Sequence, residues 1–300
     1  MAAAPIEELV SMFTHLVLWP WLVGLVFLAG GLVAIRKELI TAPGLDKWIE
    51  LGPVFVAAPL AVFATEHFVA ARAMAQIVPV WMPARLFWAY FVGCALIAAA
   101  SSLVAMKFVR LSATLLGVMF LLFVLMLELP FAITHPGDRL GWNFVLRETS
   151  FAGGAWALAG SQGWNSLAGK QNWMILFGRF SLAAAVIYFG FEQVLHPGFT
   201  PGVPDVKLTP AWVPLHAMWG YPVGAFLLVA GAALLINIKP RVAVCWIGVL
   251  MTLLTALLYL PILALTRDPS QMTDAINFVA DTLMFGGMAL LVAGALPAEG

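Results

Sequence analysis

The sequence predicts an all-α membrane protein with nine transmembrane helices, one N-terminal helix followed by two parallel-repeat four-helix bundles. Three observations predict it. Sixty-three per cent of residues are hydrophobic and ten per cent charged, and a water-soluble surface cannot be built from that composition. Nine apolar runs reach bilayer-crossing length without the period-two alternation of a membrane β-barrel. An internal repeat divides the chain. Pro79, Trp81, Pro83, Trp88, Tyr90, Val92 and Gly93 return as Pro210, Trp212, Pro214, Trp219, Tyr221, Val223 and Gly224, each 131 positions later with no gap. Trp and Pro are uncommon, so seven identities in so short a window indicate duplication.

Taken in order, the apolar runs are 14–35, 53–71, 86–105, 111–133, 142–160, 174–195, 215–236, 241–265 and 275–296. No basic residue precedes the first, and Arg36 and Lys37 follow it. That polarity is the reverse of a cleaved signal peptide, so the run reads as a retained anchor. Residues 1–52 form this anchor and a cytoplasmic loop, 53–160 a first unit and 174–296 a second. The repeat extends beyond its core. Gly117 and Pro130 match Gly248 and Pro261 at the same spacing, and Asn143-Phe144-Val145 corresponds to Asn277-Phe278-Val279. Glu66 corresponds to Glu192 if the second connecting loop is five residues longer.

One set of loops holds nine Lys and Arg, from Arg36 to Arg241, and the opposite set holds five, among them Arg72, Arg85 and Arg139. The positive-inside rule then places the C-terminus in the cytoplasm and the N-terminus outside. Four helices per unit give both units the same orientation about an axis along the membrane normal. The two Pro-Trp-Pro loops become stiff aromatic caps on one outer face. Net charge is zero and there is no basic block, which excludes nucleic acid as a partner. Cys94 and Cys245 sit singly in apolar runs with no C-x-x-C, which argues against a thiol relay.

All five histidines fall toward the outer face in this topology, with Glu66, Glu128, Arg147, Glu148, Glu192 and Asp281. Ionisable groups in membrane segments are costly, so this asymmetry is the functional signal. Glu66-His67 ends an apolar run and could move protons or orient a ligand; the plainer reading is a pair reaching interfacial water. Glu192 and His196 share a helical face and, with His67, could ligate a metal; the plainer reading is a helix-end hydrogen bond, and no metal is assigned. Arg147 and Asp281 occupy equivalent repeat positions and could meet on the central axis, or Arg147 could pair with Glu66 or Glu128 in its own unit. Trp81, Trp88, Tyr90, Trp212, Trp219 and Tyr221 either wall an apolar pocket or form an interfacial belt.

Glu66-His67-Phe68-Val69, the stretch from Val78 through Trp81, Pro83, Trp88 and Tyr90 to Gly93, and Ser150-Phe151-Ala152-Gly153-Gly154-Ala155 resemble the DoxX-like family of four-helix membrane proteins. The first unit carries the likeness. The second keeps the Pro-Trp-Pro loop but has Gln193 for His67 and His216 for Arg85. Single units are the family's usual form, so the duplication and the extra helix depart from it. The resemblance implies a bacterial inner-membrane protein, since some relatives are membrane subunits of quinone-linked enzymes such as thiosulfate:quinone oxidoreductase. A quinone is then the candidate ligand, with Glu66, His67, Glu192 and His196 handling protons and the aromatic residues walling the pocket. A soluble or membrane redox partner would complete the system. Transport of a small or lipid-like solute, and a non-catalytic anchor for a soluble partner, stand as alternatives.

Overall fold

The computed structural model describes residues 18–162 and 172–298; His15 and the start of the first apolar run lie outside the described residues. The long helices are α1 (Trp19–Ala34), α2 (Gly52–Val69), α3 (Arg85–Ala105), α4 (Val109–Phe123), α5 (Arg139–Ser161), α6 (Trp173–Leu195), α7 (Gly220–Leu235), α8 (Pro240–Leu254) and α9 (Pro269–Ala295). Six spans, Asp46–Val69, Arg85–Ala105, Val109–Thr134, Trp173–Leu195, Pro240–Leu265 and Gln271–Ala295, are long and apolar enough to cross a membrane. By length and composition the chain is therefore a multi-pass membrane protein. The remaining three helices are α1 and α7, which are apolar but shorter, and α5, which carries Arg139, Arg147 and Glu148.

Helices α5 and α9 form the centre. Phe151 of α5 faces Phe285 of α9 with ring centroids 6.2 Å apart. Helix α5 also packs on α6 and α4, while α9 packs on α2 and α8. The α5–α6 seam depends on small residues: a Cβ on Gly178 would lie 2.5 Å from the Gly153 carbonyl oxygen. Backbones approach this closely only where side chains are absent, the usual device for helix association in lipid. Helix α3 lies outside α2, α7 outside α6, and α1 against α2. One apolar core runs through all of these except α1, whose Val23, Phe27 and Leu28 pack against its side.

Two long helices are interrupted in the same way. Helix α4 passes through a π-helical turn at Val124–Glu128 into Leu129–Thr134, and α8 passes through one at Thr255–Tyr259 into Leu260–Leu265. In each case a proline, Pro130 or Pro261, is the second residue of the segment that follows. Proline cannot donate the backbone bond of a regular helix, and the widened turn absorbs that loss. Six non-glycine residues among those described are left-handed: Ala84, Met106, Phe108, Leu215, Asn237 and Lys239. They fall into three pairs, Ala84 with Leu215, Met106 with Asn237 and Phe108 with Lys239, at the separation of the Pro-Trp-Pro loops. Those loops close alike, since Trp88 Nε1 donates to Pro83 O at 3.1 Å and Trp219 Nε1 to Pro214 O at 2.8 Å.

Candidate functional site

Between α2, α3, α4, α5 and α9 lies a cavity of about 470 Å³. Its walls are Phe63 of α2, Trp88, Phe91, Val92 and Leu96 of α3, and Met119, Phe120 and Phe123 of α4. The short helix Ala71–Ile77 and the loop after it add Met74, Ile77, Val78, Pro79 and Met82. Volume and lining suit an apolar molecule of modest size.

One part of the lining is strongly polar. Glu66, Glu128, Glu148 and Asp281 line the cavity together with one guanidinium, Arg147, and one amide, Asn277. Arg147 Nη1 donates to Asp281 Oδ2 at 3.0 Å, and its Nη2 donates to Glu148 Oε1 at 3.1 Å. The guanidinium is thereby held by a partner on its own helix and one on α9. A buried charge requires such pairing, because desolvation otherwise costs several kcal/mol. Glu66 is buried. The Asn277 amide, with its nitrogen toward Glu66, donates to Oε1 at 2.7 Å and Oε2 at 3.2 Å. Glu128 ends the π-helical turn, and its buried Oε2 has no hydrogen-bond partner among the described residues. His67 completes the rim; its Nδ1–H donates to Phe63 O at 2.8 Å, which leaves Nε2 as an acceptor in the neutral ring.

Of the residues singled out in the sequence, Glu66, His67, Trp88, Arg147 and Asp281 line this cavity. Arg147 and Asp281 meet, as their equivalent positions suggested, while Arg147 pairs with Glu148 and with neither Glu66 nor Glu128. Glu192 lies elsewhere, accepting from Arg139 Nε at 2.6 Å. His196 packs against Phe199. Neither lines the cavity. No group of three potential metal ligands occurs among the described residues. Trp81 is exposed, as are Tyr90, Trp212, Trp219 and Tyr221, and none of these five lines the cavity. Glu128 and Glu148 were visible as ionisable residues in apolar surroundings, but the Arg147–Glu148 pair was not assigned.

Across the Arg147–Asp281 pair the protein is filled by its own chain. Residues Thr200 to Pro204, a strap in the loop between α6 and α7, are all buried. Tyr259, at the end of the second π-helical turn, donates through its hydroxyl to Pro201 O at 3.0 Å. Asn143 Nδ2 donates to Pro204 O at 2.6 Å, and Gln193 Nε2 to Thr200 O at 3.4 Å. Gly202 has a φ of +117°, a conformation open to glycine and strained for other residues. Val203 enters the main apolar core. The strap's outer end is fastened by Thr200 N–H donating to Lys207 O and Thr209 N–H to Gly198 O. Burial raises the Asp205 carboxyl above its ordinary range, and the donating Val206 N–H offsets part of that.

Searches for a matching family model, a similar curated protein and a similar solved structure each found none.

Proposed function

We propose that the chain is a duplicated DoxX-like protein of nine transmembrane helices, in which the cavity between the first unit and α9 binds a quinone-class molecule near the outer face of a bacterial inner membrane. The cavity carries this reading. Its apolar wall suits a hydrocarbon tail, and its carboxyl cluster suits an oxygen-bearing head. Glu66, Glu128 and His67 lie where protons would be exchanged with that head, and Arg147 and Asp281 hold the cluster in place. Electrons would come from or go to a soluble or membrane redox partner. The duplication is supported by the paired left-handed residues, the paired π-helical turns and the matching Trp-to-Pro hydrogen bonds.

The test is purification in mild detergent followed by mass spectrometry of extracted lipids. A quinone should co-purify with the wild type and be lost from Glu66→Gln and Trp88→Ala. Trp81→Ala, which alters an exposed side chain outside the cavity, should retain it. Bulk phospholipid alone, together with no uptake of added quinone, would overturn the reading. A second reading, transport of a lipid-like solute, draws on the ionisable cluster inside the helices, a common mark of a solute pathway. Uptake into proteoliposomes that depends on Glu66 would favour it.

A further inference from the structure

Under the duplication, the open cavity and the strap-filled space are equivalent places, each bordered by the last helix of the other unit. The register matches Glu128 with Tyr259, His67 with Gln193 and Asn143 with Asn277, the last pair exchanged, since Asn277 of the second unit lines the open cavity and Asn143 of the first holds the strap. The occupied copy shows how the polar positions are used. Tyr259, Gln193 and Asn143 all donate, and they receive three backbone carbonyls of the strap. The strap is in effect a resident ligand recognised by its acceptors.

In the open copy the polarity is inverted. Glu128 presents carboxyl oxygens, one of them buried and without a partner. Even a protonated carboxyl keeps an accepting oxygen. His67 spends its N–H on Phe63 O and retains an accepting nitrogen. Asn277 spends its amide nitrogen on Glu66. The other donors nearby are engaged as well: Arg147 by Asp281 and Glu148, and the Trp88 indole N–H by Pro83 O. A head group entering this cavity therefore meets acceptors in need of donors. A ligand that offers only acceptors can at most take the O–H of a protonated Glu128 and leaves its accepting oxygen unmet, and an unpaired buried polar atom is expensive.

We propose that the cavity selects its ligand by the hydrogen-bond donors on its head, so that within the quinone class it binds the hydroquinone, which carries two O–H donors, in preference to the quinone, which only accepts. This rests on the quinone-class reading for the identity of the ligand, and on the geometry for the preference. The experiment is anaerobic calorimetric titration of the purified protein with three probes: a decyl-substituted hydroquinone, its oxidised counterpart, and dodecylamine as a donor-bearing head of different chemistry. The hydroquinone should bind about tenfold or more tighter than the quinone, which raises the bound couple's potential by on the order of 30 mV. Glu128→Gln introduces an amide donor and should move the ratio toward one. His67→Gln, which copies the residue of the second unit, should act in the same direction and serves if the first variant does not fold. Quinone binding as tightly as hydroquinone would overturn the preference and leave the quinone-class reading standing. Dodecylamine binding alone would support donor selection and overturn the quinone class. Binding of none of the three would overturn both.

Discussion

Replacing Tyr259 by Phe removes one oxygen and no hydrocarbon, so it probes the strap without opening a large cavity. The hydroxyl donates to Pro201 O at 3.0 Å in a fully buried setting. Without it that carbonyl stays buried and loses this donor, a loss of about 1–3 kcal/mol. The strap's remaining fastenings, from Asn143, Gln193 and the backbone bond of Thr200 to Lys207, are untouched. The cost should therefore appear as local opening, with the helices intact. Amide exchange followed by mass spectrometry reads this directly at Thr200, Gly202 and Val203, since Pro201 and Pro204 have no amide hydrogen. An opening made easier by that amount accelerates exchange by about 5- to 150-fold. Tyr221→Phe, at an exposed tyrosine, is the control and should change nothing there. Unchanged exchange across 200–203 in Tyr259→Phe would refute the claim that this hydrogen bond holds the strap down.

Other consequences can be measured on the same preparation. Arg147→Met strands Asp281 and Glu148 and should destabilise the protein by about 3–5 kcal/mol, read as a lower melting temperature in detergent; adding Asp281→Leu should recover part of the loss. Gly287→Ala places a Cβ 2.8 Å from the Phe55 carbonyl carbon and 2.9 Å from the Val56 nitrogen. Backbone cannot yield as a side chain can, so α2 and α9 must separate, at about 1–3 kcal/mol, with loss of the monodisperse peak in size exclusion. Asp205 binds its proton more tightly folded than unfolded because burial dominates. Its contribution therefore favours the folded state at low pH and declines as pH rises from the unfolded into the raised range. Asp205→Asn should increase thermal stability at neutral pH and weaken its dependence on pH through that window.

The sequence made the helices legible because a bilayer demands long apolar runs and forgives little else. It made the central ion pair legible too, since Arg147 and Asp281 stand at matching places after Asn143 and Asn277. The aromatic residues were harder. Trp88 and Trp219 form the same hydrogen bond to a loop carbonyl, yet only Trp88 lines the cavity. That difference comes from the strap, whose irregular backbone leaves no periodic trace. Glu192 matches Glu66 in register but was diverted by Arg139, 53 residues away in sequence, and a one-dimensional pattern does not reveal such a partner. The π-helical turns add a residue to their helices and turn Glu128 and Tyr259 away from the face a 3.6-residue period assigns them. For that reason Glu128 was visible as a polar residue but not as part of the site.

The strap also bears on how binding should depend on concentration. A duplicated protein with two open sites facing one another across Arg147 and Asp281 could couple them, and its saturation curve could bend away from a simple hyperbola. With Thr200 to Pro204 seated in one of the two equivalent places, a molecule from the membrane meets one open site of that pair, and homotropic coupling between the two has nothing to act on. Saturation should follow a hyperbola with a Hill coefficient near one, and a sigmoidal curve would be the signature of a second chain in the assembly.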